Sequence, residues 1–244
     1  MLITACLAGA FSSLAEARIA PPSGGSTIPG TGTLLEETFE GAGPIDGTLT
    51  DTGQTWSTSH ALAEGGGFLF SSNPDNAFAL AGGISLLPNR SYTLSVDLFP
   101  SSNGSNLSAF LGLGFATPSF NLNTPTLDGT VGFIYKANNN IGTIRGTGNN
   151  IVGSFNPPAN TSSTLSIELE TGSDLTNTLA TWSIDNVDIL SRTVDASTIN
   201  GVVLGDSPNA SGTFDNLTLT AIPEPSTTLL GALGLLFLSH RRRA

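Results

Sequence analysis

Thiols are almost missing from this chain: among its 244 residues Cys6 is the single cysteine. No internal disulfide can form, and a chain that has lost its N-terminal leader carries neither a thiolate nucleophile nor a thiolate metal ligand. Such a chain suits an oxidising exterior. Histidine is nearly as scarce. His240 sits in the C-terminal tail, so a Ser-His-Asp triad in the body of the protein has His60 alone to draw on. No Gly-x-Ser-x-Gly turn accompanies it, and His60 reads as a loop histidine. Positive charge is sparse too. From Leu34 to Thr220, 17 Asp and Glu face only Arg90, Lys136, Arg145 and Arg192, a balance of −13. That field repels phosphate backbones and excludes nucleic acid as a partner, while cations and neutral sugars stay compatible. No repeat of solenoid or propeller period is visible.

What is abundant is the material of strands and turns: 29 Gly and 14 Pro, with many Ser, Thr and Asn. Met1 to Ala20 reads as a signal peptide, with an apolar core from Leu2 to Phe11 and small residues in Ala15-Glu16-Ala17 for a signal peptidase. Cleavage is expected after Ala17 or Ala20. No Lys or Arg precedes that core, so the recorded start can lie downstream of the true one. Ile3-Thr4-Ala5-Cys6 fits a lipobox locally, but the apolar core runs past the cysteine, against lipidation. Residues 21–33, with Pro21-Pro22-Ser23-Gly24-Gly25, lack apolar periodicity and read as a flexible linker.

Residues 34–220 read as one all-β domain, long enough to bury a core. Strands are expected at Leu34 to Phe39, Thr55 to Thr58, Gly67 to Phe70, Ala77 to Leu80, Ser91 to Phe99, Ser108 to Ala116, Val131 to Tyr135, Ile141 to Ile144, Ser163 to Glu170, Leu179 to Ile184, Val202 to Leu204 and Gly212 to Thr220. The clearest is Ser91 to Phe99, where Tyr92, Leu94, Val96 and Leu98 alternate with Ser91, Thr93, Ser95 and Asp97. Ser108 to Ala116 reads as buried on both faces, and Leu165, Ile167 and Leu169 point inward from their strand. Short strands spaced by Gly, Asn and Pro turns indicate an antiparallel β-sandwich or jelly roll.

The opening Glu36-Glu37-Thr38-Phe39-Glu40 strand, the Asp51-Thr52-Gly53 turn before Trp56, Tyr92 to Val96, and the closing Phe214-Asp215-Asn216-Leu217 strand resemble concanavalin A-like or laminin G-like jelly rolls. The resemblance implies that the first and last strands pair.

Catalytic groups are hard to assemble. Jelly-roll glycosidases of the laminarinase type set Glu-x-Asp-x-x-Glu along one strand, because cleavage needs two carboxyls about 5 to 9 Å apart. Glu168-Leu169-Glu170 is the nearest match, and alternation puts both glutamates on the outer face as a solvated edge. Calcium is the more credible ligand, since it takes oxygen from Asp, Asn and carbonyls on loops. The candidates are Asp75 in Asn73-Pro74-Asp75-Asn76, Asp185 and Asp188 in Asp185-Asn186-Val187-Asp188, and Asp215 before Asn216. Asx turns explain the same residues. Trp56 and Trp182 are either sugar-stacking platforms or core anchors; core is the commoner fate of large aromatics in sandwiches, and Trp56 is the one retained as a candidate glycan contact.

The end of the chain, residues 221–244, has three parts. Pro223-Glu224-Pro225 cannot continue a strand, Thr227 to Leu238 is uncharged and apolar, and Arg241-Arg242-Arg243 would hold the terminus in the cytoplasm. This order resembles the PEP-CTERM sorting signal of Gram-negative bacteria that make extracellular polysaccharide. The resemblance implies that an exosortase, a membrane-bound cysteine transpeptidase-like enzyme, recognises and cleaves at Pro223-Glu224-Pro225. A dozen residues of helix span roughly 18 Å against a hydrocarbon core of about 30 Å, which fits a transient inner-membrane hold. The expectation is a non-catalytic protein exported through the inner membrane and left at the cell surface or outside it. There it would bind or build the polysaccharide matrix; a glycan-active hydrolase or lyase is the alternative.

Overall fold

The computed structural model describes residues 32–60, 62–67, 69–71, 77–100, 110–122, 127–136, 141–146, 151–155, 162–206 and 212–223. The leader, most of the linker, Asp75, and Glu224, Pro225 and Arg241 to Arg243 lie outside them.

The described chain is all-β, an antiparallel sandwich of two sheets. Its strands are β1 Gly32–Glu37, β2 Gly43–Pro44, β3 Trp56–Thr58, β4 Leu62–Glu64, β5 Leu69–Ser71, β6 Ala77–Gly82, β7 Arg90–Pro100, β8 Leu111–Ala116, β9 Thr130–Lys136, β10 Ile141–Arg145, β11 Ile151–Phe155, β12 Ser163–Thr171, β13 Thr178–Ile184, β14 Val187–Val194, β15 Gly201–Asp206 and β16 Gly212–Pro223. One sheet runs β14-β13-β12-β7-β16-β5-β4-β2, and β1 shares the β5 side of β16, along Leu217 to Ala221. The other runs β11-β10-β9-β8-β15-β6-β3.

Period two decides which side chains meet between the sheets. Tyr92, Leu94, Val96 and Leu98 are fully buried, as are Leu165, Ile167 and Leu169 opposite them on β12. They face Leu113, Phe115, Val131, Phe133, Val202 and Leu204 of the second sheet in one core cluster. Glu168 and Glu170 point to solvent, as alternation requires.

β8 is buried on both faces, and the reason lies in its connection to β9. Residues 117–122 and 127–129 lie over the outer face of this sheet, tied by Thr117 N–H and Oγ1 donating to Gly129 O, both at 2.9 Å. Leu127 and partly buried Phe120 and Leu122 close a second apolar cluster there with Phe78, Phe110, Ile134 and Val203. Gly112 permits that approach: a Cβ on it would lie 2.1 Å from Leu127 Cδ1. The opposite outer face, on the β7 sheet, is polar in its middle, with Phe99, Leu179 and Ile222 exposed toward its ends. It shows Ser91, Thr93, Ser95 and Asp97, then Thr164, Ser166, Glu168 and Glu170, then Thr218 and Thr220.

Several bounds differ from the pattern. β1 starts at Gly32, inside the stretch read as linker, and stops at Glu37 because Phe39 takes a positive φ of 51°. β16 runs on to Pro223, through Ile222. β2, β4, β11 and β14 have no counterpart among the expected strands. β14 is an edge strand, mostly exposed, so burial imposes no alternation on it.

Candidate functional site

The last strand delivers the tail. β16 pairs with β7 as Ala221 to Tyr92, Ile222 to Ser91 and Pro223 to Arg90. On its other side Ala221 pairs with Gly32. Proline donates no backbone hydrogen bond, so a strand end suits it. Ile222 and Pro223 are both exposed. Pro223-Glu224-Pro225 therefore begins in register with a central strand, with no spacer before it. Among the described residues no helix is long and apolar enough to cross a membrane; the apolar run Thr227 to Leu238 lies beyond them.

A second cluster was not foreseen. Behind β1 the chain turns through Thr38 to Gly41, and three carboxylates take up its N–H groups. Asp51 Oδ2 accepts from Thr38 N–H and Oγ1, Glu37 Oε1 from Phe39 N–H, and Glu64 Oε2 from Gly41 N–H, at 2.8 to 2.9 Å. Glu37 points inward and is fully buried. Its Oε2 accepts from Trp56 Nε1 at 3.2 Å. Burial pushes its carboxyl above the usual value, and the charges of Asp51 and Glu64 push the same way, against the hydrogen bonds from Phe39 and Trp56. Trp56 is 1% exposed and stacks near Phe39 at 6.3 Å. It is core, with no face open to a sugar, which removes it as a glycan contact. Alternation along Leu34-Leu35-Glu36-Glu37 carried the one available signal, since Glu37 shares the face of Leu35.

Of the calcium candidates, Asp75 lies outside the described residues, and Asp185, Asp188 and Asp215 are held in turns and strand ladders. Asp185 and Asn186, with φ of 51° and 63°, are the two residues of the β13–β14 hairpin turn, a conformation that Asp and Asn tolerate. Asp185 Oδ1 accepts from Thr164 N–H, and Asp188 Oδ1 from Ser183 Oγ. Asp215 Oδ1 accepts from Asn216 N–H in a bulge of β16. Asn216 also reaches Asp97 Oδ2 at 2.9 Å, and Thr164 Oγ1 reaches Asp97 Oδ1 at 2.6 Å. Turn and ladder bonds thus engage these oxygens. Among the described residues no group of three or more His, Cys, Asp or Glu is placed to hold a metal.

Tyr135 is buried on β9; burial, with the charge of Asp185 adding, pushes its phenol up to about 12. His60 is exposed, its Nδ1 3.3 Å from Ser59 Oγ, which accepts from Phe78 N–H. Trp182 is fully buried, inward with Ile184.

The tail is matched independently, over residues 221–243, by the model of the PEP-CTERM protein-sorting motif. The chain carries that sorting motif. Its first residues are those of β16 that remain paired to β7. No curated protein matches the sequence. Among solved structures the fold is similar to the metal-free carbohydrate recognition domain of Emp46p, with TM-score 0.53 and 12% identity over 79% of this chain and all of that one. It is also similar to an endo-1,3-beta-glucanase from Streptomyces sioyaensis, with TM-score 0.54 and 15% identity over 82% of this chain and 99% of that one. Peanut lectin gives TM-score 0.51 and 10% identity over 72% and 95%. These likenesses show the fold alone, a concanavalin A-like jelly roll.

Proposed function

We propose that this protein is a non-catalytic, secreted or surface-attached β-sandwich, exported through the inner membrane and sorted by an exosortase-type system. It serves as a binding or structural component of the extracellular polysaccharide matrix. The observation that carries this reading is the sorting motif, matched over residues 221–243 and leaving the domain at exposed Pro223. Carbohydrate binding is supported by the lectin-like fold and by the hydroxyl and carboxylate rows on the outer face of the β7 sheet. That face offers donors and acceptors to a neutral sugar, whereas the other outer face is covered by Leu127 and Phe120.

Intact mass of the protein from its native host tests the sorting. A product ending between Pro223 and Ser226 supports it, and a retained tail argues for a plain anchor. A polysaccharide array, with and without calcium, tests the binding; no bound glycan in either condition leaves a purely structural role. The alternative, a glycan-active hydrolase or lyase, draws on the fold shared with the glucanase. Release of reducing or unsaturated ends from a matrix polysaccharide would establish it over the first reading.

A further inference from the structure

Up-and-down pairing sorts the strand ends to two poles. One pole holds the start of β7 at Arg90, the ends of β12 and β16 at Thr171 and Pro223, and the start of β1 at Gly32. The other holds the β13–β14 hairpin turn, with Val187 67% exposed, and the start of β16. Both the leader side and the sorting side of the chain therefore leave from the same pole.

That pole also gathers exposed apolar groups. Ile222 is 60% and Leu87 39% exposed, and Pro88 and Pro223 are exposed beside them. Arg90 stands among them, its Nη1 donating to Asn89 O at 2.9 Å. Glu170, Asp174 and Asp195 are at the same end; the last two already accept from the N–H groups of Thr176 and Ser197. From Pro223 to Thr227, where the apolar run begins, the chain has four residues to span, at most about 14 Å fully extended. A tail in the bilayer leaves the domain no room to stand off.

We propose that, before cleavage, the sandwich rests on the lipid surface with this pole down, Leu87, Ile222 and Pro223 in the headgroup layer and Arg90 toward lipid phosphates. The hairpin pole then faces outward. The proposal rests on reading the tail as a membrane-held sorting signal.

The full chain in a Cys6→Ser background, carrying an environment-sensitive fluorophore at Leu87→Cys, Ile222→Cys or Val187→Cys, is reconstituted into phosphatidylcholine–phosphatidylglycerol vesicles that contain spin-labelled lipid. Expected is several-fold stronger quenching at positions 87 and 222 than at 187, rising at 87 with the phosphatidylglycerol fraction and no longer doing so in Arg90→Gln. Protein that floats with the vesicles yet is quenched equally at all three positions overturns the proposal. So does disulfide cross-linking between copies of the unlabelled Ile222→Cys protein with no lipid quenching of its labelled form, which would put a second copy on this pole. Protein that does not float removes the membrane reading of the tail and this proposal with it.

Discussion

Trp56 and Glu37 form a buried pair: the indole Nε1–H donates to Glu37 Oε2 at 3.2 Å, while the other carboxylate oxygen accepts from Phe39 N–H. The pair joins β1 of one sheet to β3 of the other, and it closes the loop that follows β1. A carboxylate in this position is costly by itself, and the two donors offset the cost.

Glu37→Ala leaves the Trp56 and Phe39 donors without these partners, and is expected to destabilise the domain by about 3 kcal/mol. Urea unfolding followed by Trp fluorescence measures it. A loss within error of zero would mean that water satisfies both donors.

The same residue sets a pH dependence. Burial raises the Glu37 carboxyl above its ordinary 4.5, so its contribution to stability is complete below that value and is lost as pH rises through the folded value. Stability of the wild type relative to Glu37→Gln should therefore increase as pH is lowered from neutral toward 4.5. Melting temperatures of both proteins across that range decide it; a constant gap contradicts the shift.

Gly132 and Gly114 face each other across β8 and β9. A Cβ on Gly132 would lie 2.3 Å from Leu113 O and 2.8 Å from Gly114 Cα, contacts that only backbone movement relieves. Gly132→Ala is expected to cost about 3 kcal/mol, in the upper range for overpacking. Gly172→Ala, where a Cβ meets nothing within 4 Å, is the control and should cost far less.

Asn216 has a φ of 50° and donates to Asp97. Asn216→Ala should lose about 1–2 kcal/mol from backbone strain and the missing bond together. Asn216→Gly should recover the backbone share. Equal losses for both variants would place the whole effect in the side chain.

Sorting by the motif predicts that Glu224→Ala and Pro225→Ala, expressed in the native host, accumulate with the tail attached, while Glu168→Ala is processed like the wild type. Intact mass separates the outcomes. Normal processing of both motif variants would remove Pro223-Glu224-Pro225 as the recognised element.

Much of this was legible before the tertiary structure. Tyr92 to Leu98 and Leu165 to Leu169 declare their buried face by simple alternation, because a strand with one side on a core must repeat every two residues. The pairing of β1 with β16 followed from resemblance and is present from Gly32 to Glu37. β14 was invisible because a mostly exposed edge strand, with Val194 alone buried, keeps no regular pattern. Asp185 and Asn186 of the β13–β14 turn looked alike as turn formers and as cation ligands, since the same oxygen-rich residues serve both.

By itself the sequence determined the all-β class, the inward side of each regular strand, the scarcity of catalytic groups and the three-part sorting tail. Each of these depends on local periodicity, composition or contiguous order. Only the tertiary structure decided that Trp56 is core, that Glu37, Asp51 and Glu64 converge on one loop, that Leu127 covers the outer face of a sheet, and that Pro223 leaves the domain beside Gly32. Those depend on which distant segments the two sheets bring into contact, and no local pattern encodes that.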